Sequence, residues 1–196
     1  ALKDAVDYAI DCGVLLVASA GDEGKRSAEY PAAYNGVMSV VASTPRDERA
    51  EFSNTGSWSS VAAPGEWILS TTINYDYTAL EGTSSAAAYV CGVGALLLSN
   101  DSTLTPLEVM NQLEQTAQGT GFTEELGFGI VDADAALGPV ESMQYGTLDV
   151  TTNIVSTETT GWIGVGIITV FDDAGDVVSY GTTREFGYHL FHGIKP

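Results

Sequence analysis

Gly82-Thr83-Ser84 runs directly into Ser85-Ala86-Ala87-Ala88-Tyr89-Val90-Cys91-Gly92-Val93-Gly94-Ala95-Leu96, and no other stretch constrains the fold as strongly. Small residues at this density let a helix pass through a crowded interior, and the glycine in front marks where loop turns into helix. One hydroxyl, that of Ser84, falls at the helix N-terminus. Unpaired backbone N–H groups and the positive end of the helix dipole stabilise negative charge developing there. That is the environment a nucleophile needs. Taken alone, the stretch fits a capped core helix equally well, and two upstream segments shift the balance.

The first is Gly13-Val14-Leu15-Leu16-Val17-Ala18-Ser19-Ala20-Gly21-Asp22-Glu23-Gly24, an unbroken apolar run of strand length ending in a glycine-punctuated polar turn. A buried parallel strand reads this way. The second is Ser60-Val61-Ala62-Ala63-Pro64-Gly65, followed by Trp67-Ile68-Leu69-Ser70-Thr71. In order and spacing these segments resemble the second half of the catalytic domain of a subtilisin-like serine protease, and within that family the thermitase branch. The resemblance runs from about Ala1 to Leu137. It takes in Tyr30-Pro31-Ala32-Ala33-Tyr34, Phe52-Ser53-Asn54-Thr55-Gly56-Ser57-Trp58 and Gly127-Phe128-Gly129-Ile130-Val131-Asp132-Ala133.

The resemblance implies that Ser84 attacks a peptide carbonyl and that the turn at Asp22 supplies the side chain facing the oxyanion. A serine needs a general base to lose its proton, usually a histidine held by a carboxylate. In this family the aspartate and histidine precede the serine, on segments that would lie before Ala1, so the missing N-terminal half of the domain is a needed partner. His189 and His192 come more than a hundred residues after Ser84 and read as ordinary residues near the end of a strand pair. The chain reads as a fragment of a larger protease, inactive by itself. The family usually carries asparagine where this sequence has Asp22. An amide donates a hydrogen bond to the oxyanion, whereas a carboxylate donates only when protonated. Ser85 and Ala88 replace the usual methionine and proline. A catalytically degenerate domain that binds peptides, or serves as a structural surface module, is the alternative.

In this family the segment after the oxyanion turn and the residue before the Tyr-Pro pair line the pocket for the side chain preceding the cut. Those positions are Glu23 and Glu29, and two carboxylates favour arginine or lysine by charge pairing. The competing reading assigns both to a generally acidic surface. The chemistry requires no cofactor. Calcium or sodium often supports the family, and Ala32, Tyr34 and Val37 resemble a segment whose backbone carbonyls hold such a cation. The family tends to place an aspartate near that site where this chain has Ser60. Asp47, Glu48 and Glu51 read as a solvated acidic loop.

Twenty-six acidic residues against 7 basic ones leave a net charge of −19. The apolar fraction is ordinary, so the chain is globular and not an acidic disordered segment. Such a charge repels itself in dilute buffer and is relieved where salt shortens the Debye length to ~3 Å at 1 M, which resembles proteins of salt-loving microbes. It disfavours nucleic acid or an anionic membrane as partner, leaving peptide or protein substrates. No stretch of ~18 apolar residues spans a membrane. An extracellular or cell-surface location follows from the family alone. Cys12 and Cys91 make no disulfide framework and read as small buried hydrophobes.

The coarse order is helix at Leu2–Asp11, then strands at Val14–Ala18, Gly36–Ser43, Ser60–Ala63 and Ile68–Thr71. Helices follow at Thr83–Leu98, from Pro106 to about Ala117 behind a Thr105/Glu108 capping box, and after Asp132. This predicts an α/β fold, a parallel sheet with helices on both faces, over residues 1–138. Residues 139–146 read as a linker. Residues 147–196 turn rich in Thr, Val, Ile and Gly, with a hairpin at Ile167–Phe171 and Val177–Tyr180. They resemble a partial β-sandwich module of the carboxypeptidase-regulatory type.

Overall fold

The structure is a computed structural model that describes residues 1–73, 76–119, 121–138, 167–171 and 177–182. The chain divides into two compact units, Ala1–Val140 and Glu141–Pro196.

The first unit runs α1 (Leu2–Asp11), β1 (Leu16–Ser19), β2 (Val37–Ser43), β3 (Val61–Pro64), β4 (Ile68–Thr71), β5 (Tyr77–Leu80), α2 (Thr83–Asn100), α3 (Pro106–Thr116) and α4 (Ala133–Leu137). Strands β1, β2 and β3 form a parallel sheet in that order, with Leu16 opposite Val37 and Val40 opposite Val61. All seven residues of β2 are buried, which is why that segment is apolar without alternation. Successive side chains still point to opposite faces. Met38, Val40 and Ala42 join Val90, Val93 and Leu97 of α2 in the main core. Val41 packs on the other face with Ala20 and Ala62, under half-buried Trp58, Leu126 and Ile130. Residues 129–131 continue the ladder beside β3: Ala62 N–H donates to the Gly129 carbonyl at 2.8 Å and Val131 N–H to that of Ala62 at 2.9 Å. Leu97 and Leu113 are almost wholly removed from water, which stabilises the fold by roughly 1.5–3 kcal/mol each.

The capping box of α3 forms as its sequence dictates. The Thr105 hydroxyl accepts the Glu108 N–H at 3.3 Å, and the Glu108 carboxylate accepts the Thr105 N–H at 2.7 Å. The latter bond holds the Glu108 carboxyl below its ordinary range. Asp132 caps α4 by accepting the Ala135 N–H at 3.0 Å.

The structure corrects four expectations. Cys12 and Cys91 are exposed, not buried: Cys12 is the C-cap residue of α1, and Cys91 lies on the outer face of α2. That helix is interior on one face only. Ala86, Val90, Val93, Gly94 and Leu97 are buried, while Tyr89 and Leu96 are 49% and 51% exposed. Strand β5 lies where no strand is expected, paired antiparallel with β4. The predicted strand at Val14–Ala18 begins later, at Leu16, where pairing to Val37 starts.

Arg49 ties the loop after β2 to the loop before α4. Its guanidinium donates to the carbonyls of Ala50 at 3.0 Å and Ser53 at 2.7 Å and pairs with Glu125. Arg26 reaches the same loop, bonding Glu124 at 3.2 Å and Glu125 at 2.7 Å. The Arg49 hydrogen bond in particular holds the Glu125 carboxyl below its ordinary value of 4.5.

In the second unit β6 (Ile167–Phe171) and β7 (Val177–Thr182) form an antiparallel hairpin, Ile167 opposite Thr182. The remainder of the proposed β-sandwich module, with His189 and His192, lies outside the described residues. Among the described residues, no helix is long and apolar enough to cross a membrane.

Candidate active site

Strand β1 delivers its C-terminal end to the turn Gly21–Gly24, and β5 leads within three residues to the start of α2. In parallel sheets covered by helices, ligands bind at the carboxyl ends of the strands, and the two turns meet at such an end. Gly82, the N-cap residue of α2, offers no side-chain cap, and the first turn of the helix carries no acidic residue. The cap comes from across the sheet. Asp22 Oδ1 accepts the Thr83 N–H at 2.7 Å, and the Thr83 hydroxyl accepts the Gly21 N–H at 3.0 Å. A carboxylate over a helix N-terminus is favoured by the helix dipole and satisfies one of its orphan donors. Thr83 is fully buried, so the pair locks the turn to the helix.

Ser84, the next residue, is exposed. It borders a cleft of about 450 Å³ whose walls include Gly21, Glu23, Glu29, Tyr30 and Pro31. Three of the four residues expected to act on substrate therefore share one cleft: Ser84, Glu23 and Glu29. Asp22 stands at its edge, joined to the residue before Ser84. The Tyr30–Pro31 peptide is cis, and Glu29 is half-buried at the head of this turn, its carbonyl accepting the Ala33 N–H at 2.8 Å. Among the described residues, no Lys or Arg lines the cleft.

Asn54 has no part in the sequence reading beyond its place in a motif, yet it lies directly behind this turn. It is fully buried and bonds both the main chain of the turn and the Glu23 carboxylate. No sequence signal distinguishes such an asparagine from a loop residue. Ala32 and Tyr34 lie on the turn leading into β2 and Val37 is its first residue, and the Tyr34 carbonyl already accepts the Val37 N–H at 3.2 Å. Asp47, Glu48 and Glu51 are exposed. Among the described residues, no group of three His, Cys, Asp or Glu side chains could hold a metal ion.

A chain with this sheet order and a helix-borne serine at the sheet's carboxyl edge has known counterparts. The sequence profile of the subtilase family, peptidase S8, matches residues 1–129. The chain belongs to the subtilase family. Among subtilases, it is 40% identical over 140 residues to subtilisin DY of Bacillus licheniformis, covering 69% of this chain and 51% of that protein. It is 39% identical over 135 residues to M-protease of Shouchella clausii, covering 69% and 36%. Among solved structures it resembles the prenylagaramide maturation protease PagA, with a TM-score of 0.64 and 30% identity over 69% of this chain and 54% of that one. A protease from Pseudoalteromonas arctica aligns with a TM-score of 0.65 and 33% identity, covering 69% and 45%. The chain thus spans about half the length of these relatives, or less, and the subtilase fold accounts for its first unit.

Proposed function

We propose that the full-length protein is a serine endopeptidase with Ser84 as nucleophile. In this reading the Ser84 oxygen attacks the peptide carbonyl as its proton passes to a histidine. The tetrahedral oxyanion collapses to an acyl-enzyme with release of the amine, and water then frees the acid. The histidine and its aspartate partner are assigned to an N-terminal half of the domain outside this chain. Two observations support that assignment: the relatives are about twice as long as the matched region, and the outer face of α2 leaves Tyr89 and Leu96 about half exposed.

The observation that carries the proposal is the placement of Ser84. It stands exposed in the first turn of α2 beside a cleft of about 450 Å³. As the second residue of the helix, its N–H has no partner within the helix and suits an oxyanion. Asp22 can donate there only when protonated, through the oxygen not engaged with Thr83. Glu23 and Glu29 favour a substrate with arginine or lysine before the scissile bond.

The thermitase-like subtype rests on the order and spacing of the segments at 13–24, 60–71 and 82–96, and the carboxypeptidase-regulatory module on the hairpin and its flanking sequence. Secretion and a salt-rich habitat rest on family and charge. The reaction needs no metal. A structural calcium or sodium ion would be held by the carbonyls of Ala32, Tyr34 and Val37, with no carboxylate among the three.

Fluorophosphonate labelling of the full-length protein in molar salt, with the modified peptide located by mass spectrometry, tests the proposal. Label on Ser84 establishes an activated serine. A folded protein that takes no label refutes it and favours the second reading, a non-cleaving peptide-binding subtilase. The Asp22 carboxylate in the oxyanion region motivates that alternative.

A further inference from the structure

We infer that Asn54 is a positioning residue that fixes the Glu23 carboxylate in the cleft, and that the preference for a cationic side chain depends on it. This rests on the acidic-cleft reading given above and adds the group that makes it work. Two segments are zipped together behind the cleft. Gly24 N–H donates to the Phe52 carbonyl at 2.6 Å, Asn54 N–H to that of Gly21 at 2.8 Å and Thr55 N–H to that of Lys25 at 2.9 Å. The Asn54 side chain fills the centre of this zipper with no exposure to solvent. Its Oδ1 accepts the N–H groups of Glu23 at 3.2 Å and Lys25 at 2.8 Å. Those two donors decide the orientation of the amide, so the NH₂ group faces Glu23 and donates to Oε2 at 2.7 Å.

Each part of this arrangement excludes other residues. An aspartate would still accept from the two main-chain donors but would set a carboxylate against that of Glu23. A leucine would leave both donors unmet in a half-buried site. The approach is also close: a Cβ on Gly21 would lie 2.4 Å from Asn54 Nδ2. A glutamate otherwise loses rotamer entropy when a ligand fixes it. Here Asn54 has fixed one oxygen in advance, leaving Oε1 to meet a guanidinium or ammonium group. Preorganisation of this kind raises affinity without adding a contact to the ligand.

The test uses the full-length protein, with benzamidine as a cationic probe and arginyl and phenylalanyl peptide esters as substrates. Asn54→Asp is expected to weaken benzamidine binding about tenfold, the order lost with one charge-assisted hydrogen bond. KM for the arginyl ester should rise by a similar factor, with kcat and the phenylalanyl ester little changed. In a Glu23→Gln background the same substitution should have no further effect on benzamidine. Asn54→Ser, which adds no charge, should reproduce the pattern at smaller amplitude and covers the case in which Asn54→Asp fails to fold. Equal losses on both esters, persisting in the Glu23→Gln background, would reduce Asn54 to scaffolding and overturn the inference while leaving the acidic cleft intact. Benzamidine binding no tighter in the unsubstituted protein than in Glu23→Gln would instead overturn the acidic cleft, and the inference with it.

Discussion

Gly127→Ala is expected to destabilise the full-length protein by about 3–5 kcal/mol, and the figure follows from the geometry of one backbone crossing. Gly127 has φ of +63°, a conformation that costs an L side chain roughly 1–2 kcal/mol. A Cβ there would lie 2.2 Å from the Ser60 carbonyl oxygen, 2.4 Å from its carbon and 2.8 Å from the Val61 nitrogen. All three are main-chain atoms, so no side chain can swing aside. Relief requires moving the 127–131 segment off β3. That strains the Phe128 N–H to Ser60 carbonyl bond at 2.8 Å and the neighbouring Ala62 to Gly129 bond at 2.8 Å. Overpacking of this kind adds roughly 1–3 kcal/mol, and each weakened hydrogen bond up to about 1 kcal/mol. At about 2–4 °C per kcal/mol the melting temperature should fall on the order of 10 °C, read by differential scanning calorimetry in molar salt. A Gly127→Ala melting temperature within about 2 °C of the parent would refute the claim that this crossing is closed to a side chain.

Further outcomes are expected. Asp22→Asn keeps an oxygen for the Thr83 N–H and supplies an amide donor to the oxyanion. Turnover of a peptide ester at neutral pH should rise, by up to the roughly 10²–10³ that loss of such a donor costs in a subtilisin; unchanged or lower turnover would remove Asp22 from the oxyanion site. Glu125 titrates below 4.5 when folded because of Arg49, so the pair's stabilisation is present above that value and is lost as pH falls through the lower folded pKa. The gap in melting temperature between the parent and Arg49→Gln should accordingly be largest above pH 4.5 and narrow in stronger acid. A gap independent of pH would assign the role of Arg49 to its carbonyl contacts alone. With a net charge of −19, the melting temperature should climb between dilute and molar salt, and a flat profile would refute the salt-dependence argument.

What the sequence discloses, it discloses through local chemistry. The Thr105/Glu108 box and the Asp132 cap are set by residues within one turn of the feature they build, and each is legible. Strand ends were not. Val14 and Leu15 are as apolar as Leu16, but only pairing across to Val37 decides where β1 begins. The four residues of β5 are all exposed, so they carry no apolar stripe and take their register from β4. The outer face of α2 was hidden for a related reason. Its small apolar residues are spread around the whole circumference, so no polar stripe marks the exposed side on which Cys91 lies. The site divides in the same way. Ser84, Glu23 and Glu29 could be named from motif order, whereas the Asp22 to Thr83 bond and the Asn54 amide join residues 61 and 31 positions apart, and nothing local announces them.

The Asp22 to Thr83 bond also bears on when the cleft comes into existence. Closing a loop of that length is entropically costly and is repaid only when β1, β2 and β3 are aligned side by side, since all three pair in parallel across long connections. The turn and the helix start therefore cannot meet in a chain that stops short of α2. Until the ribosome has released α2 and the sheet has closed, Ser84 is an ordinary serine on a loop, with neither a cleft beside it nor a capped helix beneath it. A cleft built this way is absent from any nascent chain that ends before α2, because its two walls come from segments 61 positions apart.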